Sequence, residues 1–587
     1  MRSRPLAFLL AFLGIVGFAI SAAAQQSQNI TLLANQNLHS QYSGNCAYVH
    51  SDGREYVAVG ALQGTSIVRL TDPANPVEVA FIPGPNAGIR EPNQYQSYLY
   101  VTGSGSNPGI QVISMADPDH PVLVNTLTST TDAENLTIDT ARGYLYTCGS
   151  VPHAPGANYG LHIYSLADPA NPIQIGAYEP YQIHDLTVKG TRGYACDQTT
   201  SIVHILDLTN PTTPVELATF TTPMGTAHTA IPTADDRNLI VVDEAFERPG
   251  VTMGRPLVYD IQNLSKISLV FSFDDVTEAI THFPILQGSF VYVAHYTAGI
   301  HVYDVADILH PVKVAFYDTY QGEDDTFAGV YETAPLPSGT FTAVDQSTGL
   351  NVFQLNPAYG LVRGTVRVGN KPLVGATVRV LPNGPKTVTT TNGYYGLAPA
   401  TAGSVTIECS KFGYATQIAT LSVATGSQQT NDFSLQTLGT GTLKGVVRRA
   451  SDQTILVGAD VLLEDTPVAT TTSGMGKYSL SKVPAGSYSL RAEVLTLAPS
   501  FAPITVSPMA TLTTDFVLQP PTFFDDGETD RAGRSEIQVM MQPRGCGSAP
   551  RRSERPRRGA PFSRRKTTRR HRERSASSRA TLRPDRR

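Results

Sequence analysis

The feature that most constrains this chain is a repeat. The stretch GLHIYSLADPANPIQIG at 160–176 recurs in altered form at 66–79, 109–124, 201–216 and 299–314, as a worn copy at 256–270 and as a half copy at 350–357. Its turn marker, an Asp or Asn followed by Pro in most copies, falls at Asp72, Asp117, Asp168, Asn210, Asn263, Asp307 and Asn356, in steps of 45, 51, 42, 53, 44 and 49 residues. Asp and Asn cap the backbone of a turn with their side chains, and Pro fixes φ there. A period in the forties with several strands per unit predicts a β-propeller of seven blades.

Four strands are predicted per unit, for one of them at 184–188, 193–197, 202–208 and 215–220. Val, Ile, Tyr and Leu fill these strands, as expected when neighbouring sheets cover both faces. The last unit has strands predicted near 329–333, 340–345 and 349–355 and lacks a fourth, because the chain then enters a different domain. The segment NITLL at 29–33 is expected to supply it, locking the ring and removing an exposed edge. On residues 161–169 and 300–307 the repeat resembles that of the LVIVD-repeat family, secreted bacterial propellers also called choice-of-anchor B proteins. The resemblance covers about 29–358, implies export, and brings no catalytic chemistry with it. The chain departs from the family in having no Trp.

A second repeat follows. Gly364, Gly375, Tyr395 and Gly403 are echoed by Gly445, Gly458, Tyr478 and Gly486, at offsets of 81, 83, 83 and 83. Short alternating strands with regular turns predict two β-sandwiches. Both copies resemble the carboxypeptidase regulatory-like domain, a prealbumin-like sandwich, on TNGYYGL at 391–397, TSGMGKYSL at 472–480 and VPAGSY at 483–488. The resemblance implies no peptidase activity, and neither copy carries an HxxE zinc pair. It implies contact with carbohydrate only by analogy of fold.

At 587 residues the chain is too long for a single core, and three to four domains are expected. Arg2 and Arg4 before an apolar run at 6–20, then Ala22, Ala23 and Ala24, have the layout of a secretory signal peptide. No later segment is apolar enough to be a transmembrane helix, so a mature chain without a transmembrane segment, secreted or held at the cell surface, is expected. Of the 5 Cys none forms a CxxC pair, and a bond between Cys148 and Cys196 stays open. Charge is split along the chain: 531–587 hold 19 Lys and Arg against 4 Asp and Glu, and the remainder holds 25 against 45. The acidic body argues against a nucleic-acid partner.

The basic tail is expected to be disordered. Its composition also fits an out-of-frame read of a GC-rich gene. In the frame that starts at each codon's third base, permitted codons for 532–547 spell WTVGDPGDDATTGLW, and those for 564–571 spell PEDDATP. Both strings resemble a secreted jelly-roll-type domain. The organisation expected is a signal peptide at 1–24, the propeller at 25–358, sandwiches at 359–436 and 440–520, and an Arg-rich tail at 521–587.

No Walker A loop, HExxH or EF-hand loop occurs, and the GSGSN string at 103–107 lacks the last Gly of a nucleophile elbow. Aligning the units at the start of the innermost strand brings Asn45, Glu91, Asn135, His184, His228 and His282 to like positions, where they line one mouth of the channel. Asp185 sits beside them. Three imidazoles with carboxylates are a donor set that can hold a metal. A hydrated polar ring accounts for the same residues without an ion, so they are read as ligand- or channel-lining, with no catalytic residue, metal or cofactor assigned. Asp243, Glu244 and His295 read as surface or loop anchors. The expected function is non-enzymatic: a binding or scaffold protein whose partner is an extracellular ligand, with polysaccharide and cell-envelope protein as the candidate classes. A metal-dependent hydrolase using the His cluster is the alternative.

Overall fold

The computed structural model describes residues 27–521, apart from 106–108, 129–132, 150–159, 224–225, 245–254, 274–278, 321, 323–325 and 400–401. It also describes the backbone of Phe524–Thr529 and Ser535–Gln538. The expected signal peptide lies outside the described residues. Among the described residues every regular element is a strand, and no helix is long and apolar enough to cross a membrane.

Seven antiparallel sheets of four core strands form a closed propeller, with blades 1 to 7 at 42–83, 92–127, 135–178, 185–221, 227–272, 284–317 and 330–355. Blade 4 shows the plan: Asp185–Lys189, Arg192–Asp197, Ile202–Asp207 and Val215–Thr221 pair in sequence order. Burial follows position in the blade. The middle strands are almost wholly buried, and the outermost, Val215–Thr221, alternates between exposed and half-buried. Within six blades the pairing of third and fourth strands slips by one residue, as between Ile205 and Leu206. Such bulges increase the local twist that a radial sheet needs. The repeated marker works as a turn: the Asp168 side chain accepts from the Ala170 amide at 3.1 Å, and its carbonyl accepts from Asn171. The same pair of contacts recurs at Asp72, Asp117, Asn210, Asn263 and Asp307.

Ring closure is visible in two ways. Ile30–Gln36 pairs antiparallel with Gly349–Leu355 as the outer strand of blade 7, longer than the 29–33 expected. Blade 7 then packs on blade 1, with Leu336, Val344 and Val352 against Val57, Val59 and Val68. The other blade junctions have cores of the same kind, for example Tyr194 and Ile205 against Leu239 and Val241 between blades 4 and 5. One strand was not foreseen: Ser27–Gln28 pairs with Val312–Tyr317 as a fifth strand of blade 6. The Gln28 amide also donates to the Ala398 carbonyl at 2.5 Å, tying the chain start to the first sandwich.

The two sandwiches share one topology. In the first, Leu361–Val368 pairs antiparallel with Tyr394–Leu397 and parallel with Gln428–Thr430 and Phe433–Ser434. In the second, Thr440–Arg449 pairs in the same way with Lys477–Pro484, Thr511–Thr513 and Phe516–Leu518. The repeated residues have a steric cause. A Cβ on Gly364 would lie 1.9 Å from the Asn431 carbonyl oxygen, and one on Gly445 1.9 Å from that of Thr514. Those two carbonyls accept the hydroxyls of Tyr395 and Tyr478, each at 2.6 Å. Beyond residue 521, Phe524–Thr529 pairs antiparallel with Ser535–Gln538 at the start of the segment expected to be disordered; the rest of that tail lies outside the described residues.

Phe353 is fully buried between blades 6 and 7, stacked on Phe341 at 5.3 Å and tilted against Tyr317 at 4.9 Å. Phe353→Ala is expected to cost about 3–5 kcal/mol and to lower the unfolding temperature of the propeller in calorimetry. Val215→Ala, on an exposed outer strand, is expected to change stability by less than about 0.5 kcal/mol.

Candidate functional site

The pairing register sets the level of each residue in the channel wall. Asn45, Pro92, Asn135, Asp185, Thr229 and Glu332 pair with Val59, Val101, Cys148, Cys196, Val242 and Val344, and Phe283 takes the same place opposite Ala294. The residues just before them, Gly44, Glu91, Glu134, His184, His228, His282 and Tyr331, make the level above. Asn45 and Asn135 therefore sit one residue past the His level, beside Asp185. Gly44 and Glu134 are the true equivalents of His184. Blade 7, which the sequence alignment left empty, contributes Tyr331 and Glu332. His228 and Tyr331 fall at bulges in their hairpins, between Ala227 and Thr229 and between Val330 and Glu332, where an unpaired residue can be aimed away from the ladder.

The three imidazoles come together. His184 and His228 have ring centroids 4.4 Å apart, and so do His228 and His282. His282 Nδ1 donates to the Tyr331 carbonyl at 2.6 Å, which leaves a lone pair on Nε2. His228 Nδ1 lies 2.8 Å from the Thr229 hydroxyl. His184 Nδ1 is 3.7 Å from a Glu134 carboxylate oxygen, and its Nε2 is buried with no hydrogen-bond partner. Burial pushes all three down, His282 to about 3, so they are neutral at ordinary pH.

Glu244 completes the cluster. Its two carboxylate oxygens lie 3.9 Å from His228 Nε2 and 3.9 Å from His282 Nε2. The Tyr296 hydroxyl and the Gln198 amide each donate to it at 2.7 Å. The reading of Asp243, Glu244 and His295 as surface or loop anchors is corrected: Asp243 and His295 are buried, and the Glu244 side chain is only 11 % exposed. A signal was available. Glu244 follows the apolar second strand of blade 5, Asn238–Asp243, and a hairpin returns the end of that strand to the start of its partner. The Glu244 amide accordingly donates to the Thr226 carbonyl at 3.0 Å, two residues from His228.

On the other side of the ring, the Glu91 and Glu332 side chains meet. Burial and the charges of Glu332 and Glu134 hold the Glu91 carboxyl well above the usual range, and burial raises Glu332 as well. Glu332 also accepts from the Asn45 amide nitrogen of the backbone at 2.6 Å, and the Asn45 side chain donates to Thr342 at 2.9 Å. A Cβ on Gly44 would lie 1.7 Å from a Glu91 oxygen, so the missing side chain of blade 1 is the space that Glu91 fills. Asn135 donates to the His184 carbonyl at 3.4 Å, and Asp185, raised by burial, bonds Thr229 one level below the imidazoles. A cavity of about 440 Å³ lies in the channel on that side and is lined by Glu91, Asn135, Asp185, Phe283 and Glu332. A larger one of about 850 Å³ lies where blade 6 meets the first sandwich, between Phe271, Tyr303 and Phe316 on one wall and Lys386, Thr390 and Tyr394 on the other. Cys148 and Cys196, level with each other in blades 3 and 4, are buried free thiols.

Comparison with known proteins adds to this picture. Residues 362–440 match the CarboxypepD_reg-like domain and 442–519 the carboxypeptidase regulatory-like domain. No curated protein matches the chain. Among solved structures, the β-propeller domain of Cps50 (Swd1) from Myceliophteria thermophila is similar at 13% identity and TM-score 0.38, over 56% of this chain and 99% of that one. A protein from Lactobacillus plantarum is similar at 15% identity and TM-score 0.39, over 55% and 90%. A functionally unknown protein from Desulfotomaculum acetoxidans is similar at 15% and 0.39, over 49% and 89%. At these scores the likenesses carry no argument, and the propeller stands on its own sheets. The chain is an all-β protein in which a seven-bladed propeller precedes two small sandwiches. Those sandwiches are two carboxypeptidase regulatory-like domains, a non-catalytic class that points to binding or scaffolding.

The raised carboxyls have a pH signature. In the folded chain Glu91 and Glu332 keep protons at a pH where exposed carboxyls in the unfolded chain have lost theirs. The stability this gives is full below the ordinary Glu range and is lost as pH rises through the raised values. Glu332→Gln preserves shape and cannot ionise. Its unfolding temperature relative to the parent is expected to rise steadily between pH ~5 and ~9; a difference that stays flat with pH would contradict the raised carboxyls.

Proposed function

We propose that the chain is a secreted or cell-surface binding and scaffold protein, and that its propeller is of the LVIVD-repeat, choice-of-anchor B type. The observation that carries the reading is the tandem of two regulatory-like sandwiches, 362–440 and 442–519, docked directly behind a rigid ring. Export is supported by the basic, apolar and small-residue layout of 1–24, and the repeat type by the LADP-like core of several blades, clearest at 166–169.

The ligand class that the surface suits is polysaccharide. The cleft of about 850 Å³ between blade 6 and the first sandwich combines aromatic faces, Phe271, Tyr303 and Tyr394, with the polar groups of Asn383, Lys386 and Thr390. Rings give sugar a flat apolar surface and the polar groups fix its hydroxyls. A cell-envelope protein is the other partner class. A metal-dependent hydrolase is the second reading of function, and the one observation in its favour is the approach of His228, Glu244 and His282.

A glycan array probed with the full chain is expected to show saturable binding to one polysaccharide class. Tyr394→Ala, which removes a wall of the cleft, is expected to weaken it about tenfold, the loss of one stacked ring (~1.4 kcal/mol). Binding that is absent, or indifferent to Tyr394, would remove the carbohydrate reading.

A further inference from the structure

The imidazole cluster on the wall of the propeller channel has features that a hydrated polar ring leaves unexplained. We propose that His228, Glu244 and His282, with the His184 ring packed against that of His228, form a binding site for a first-row divalent transition metal such as zinc or copper. The site stands apart from the cleft at the first sandwich and from any carbohydrate reading of it, so the two succeed or fail separately.

Geometry carries the proposal. One ligand atom from each of His228, Glu244 and His282 lies within 4.8 Å of the others. The two His-to-carboxylate separations are 3.9 Å, too long for a hydrogen bond and about half an ångström beyond the ~3.4 Å between two ligands of a tetrahedral ion bonded at about 2.0–2.1 Å. Small side-chain rotations close the remaining gap. Each donor is also held from behind, as ligating groups are. His282 Nδ1 is spent on the Tyr331 carbonyl and His228 Nδ1 faces the Thr229 hydroxyl, so in both rings Nε2 is the atom turned to Glu244. Glu244 is oriented by Tyr296 and Gln198.

A second observation is independent of that triangle. His184 is 6 % exposed, its ring meets that of His228 edge-on, and its buried Nε2 has no hydrogen-bond partner. A buried ring nitrogen without a protein partner has a lone pair or proton available to a ligand. The donor set of imidazoles and a single carboxylate selects zinc, copper or nickel over calcium and magnesium, which need oxygen shells.

The test uses the untagged full chain, stripped with a chelator and offered Zn²⁺, Cu²⁺ or Mg²⁺ in parallel. Metal content is read by mass spectrometry and binding by calorimetry. One Zn²⁺ or Cu²⁺ per chain is expected, and no Mg²⁺. Glu244→Gln and His228→Asn are expected to weaken binding roughly tenfold or more. His120→Asn, on an exposed turn, is expected to leave it unchanged. X-ray absorption of the zinc-loaded parent needs no variant and is expected to show imidazole nitrogen and oxygen around the metal. Less than a tenth of an equivalent bound, a sulfur shell in the absorption spectrum, or full binding by folded Glu244→Gln and His228→Asn chains would each overturn the proposal.

Discussion

The whole structure depends on the junction between the two ends of the propeller. Blades 1 to 6 each bury their faces against a neighbour, but blade 7 has only three strands of its own and reaches blade 1 only if the ring shuts. The segment Ile30–Gln36 supplies the outer strand, and Leu336, Val344 and Val352 then close on Val57, Val59 and Val68. Hydrophobic burial at this junction holds the ring shut. It also fixes the channel, because Glu332 of blade 7 meets both Asn45 of blade 1 and Glu91 of blade 2 across the closure.

The channel wall concentrates groups that are costly to bury. Three imidazoles, Glu91, Glu134, Asp185 and Glu332 lie within a few residues of strand starts and Glu244 just past a strand end, in places where a solvent-poor environment penalises charge. The chain meets that cost in two ways. On the side of blades 1, 2 and 7 burial and mutual contact raise the carboxyls of Glu91 and Glu332. On the side of blades 4 to 6 burial lowers the imidazoles, and two of them, His228 and His282, flank the Glu244 carboxyl. The two halves of one ring are thus chemically different, although the backbone positions that carry them are equivalent.

Much of the fold was legible in the sequence, and the reasons are physical. The Asp/Asn-Pro turn repeats because each blade must reverse direction between its third and fourth strands, so seven markers translate into seven sheets. The closing strand was legible because a three-stranded last unit leaves an unpaired edge. The sandwich repeats were legible because Gly364 and Gly445 leave room for a carbonyl that Tyr395 and Tyr478 then bond. What escaped was set by register. Spacing along the sequence cannot see the bulge that places Gly44, not Asn45, level with His184, and it cannot see the variable loop lengths between units, which hide that Glu134, not Asn135, stands at that level in a regular hairpin. Tyr331 and Glu332 escaped for the same reason. Glu244 escaped because its importance comes from the hairpin partner opposite it, and Ser27–Gln28 because two residues carry no periodicity to read.

Hydrogen exchange at the amides of Ile30–Gln36 in the full chain tests the closed ring most directly. If the strand locks blade 7, its hydrogen-bonded amides exchange as slowly as those of Gly349–Leu355 and open with them in one step. Exchange of 30–36 at the rate of an unprotected peptide, while Gly349–Leu355 stays protected, would contradict the closure and with it the shared channel wall.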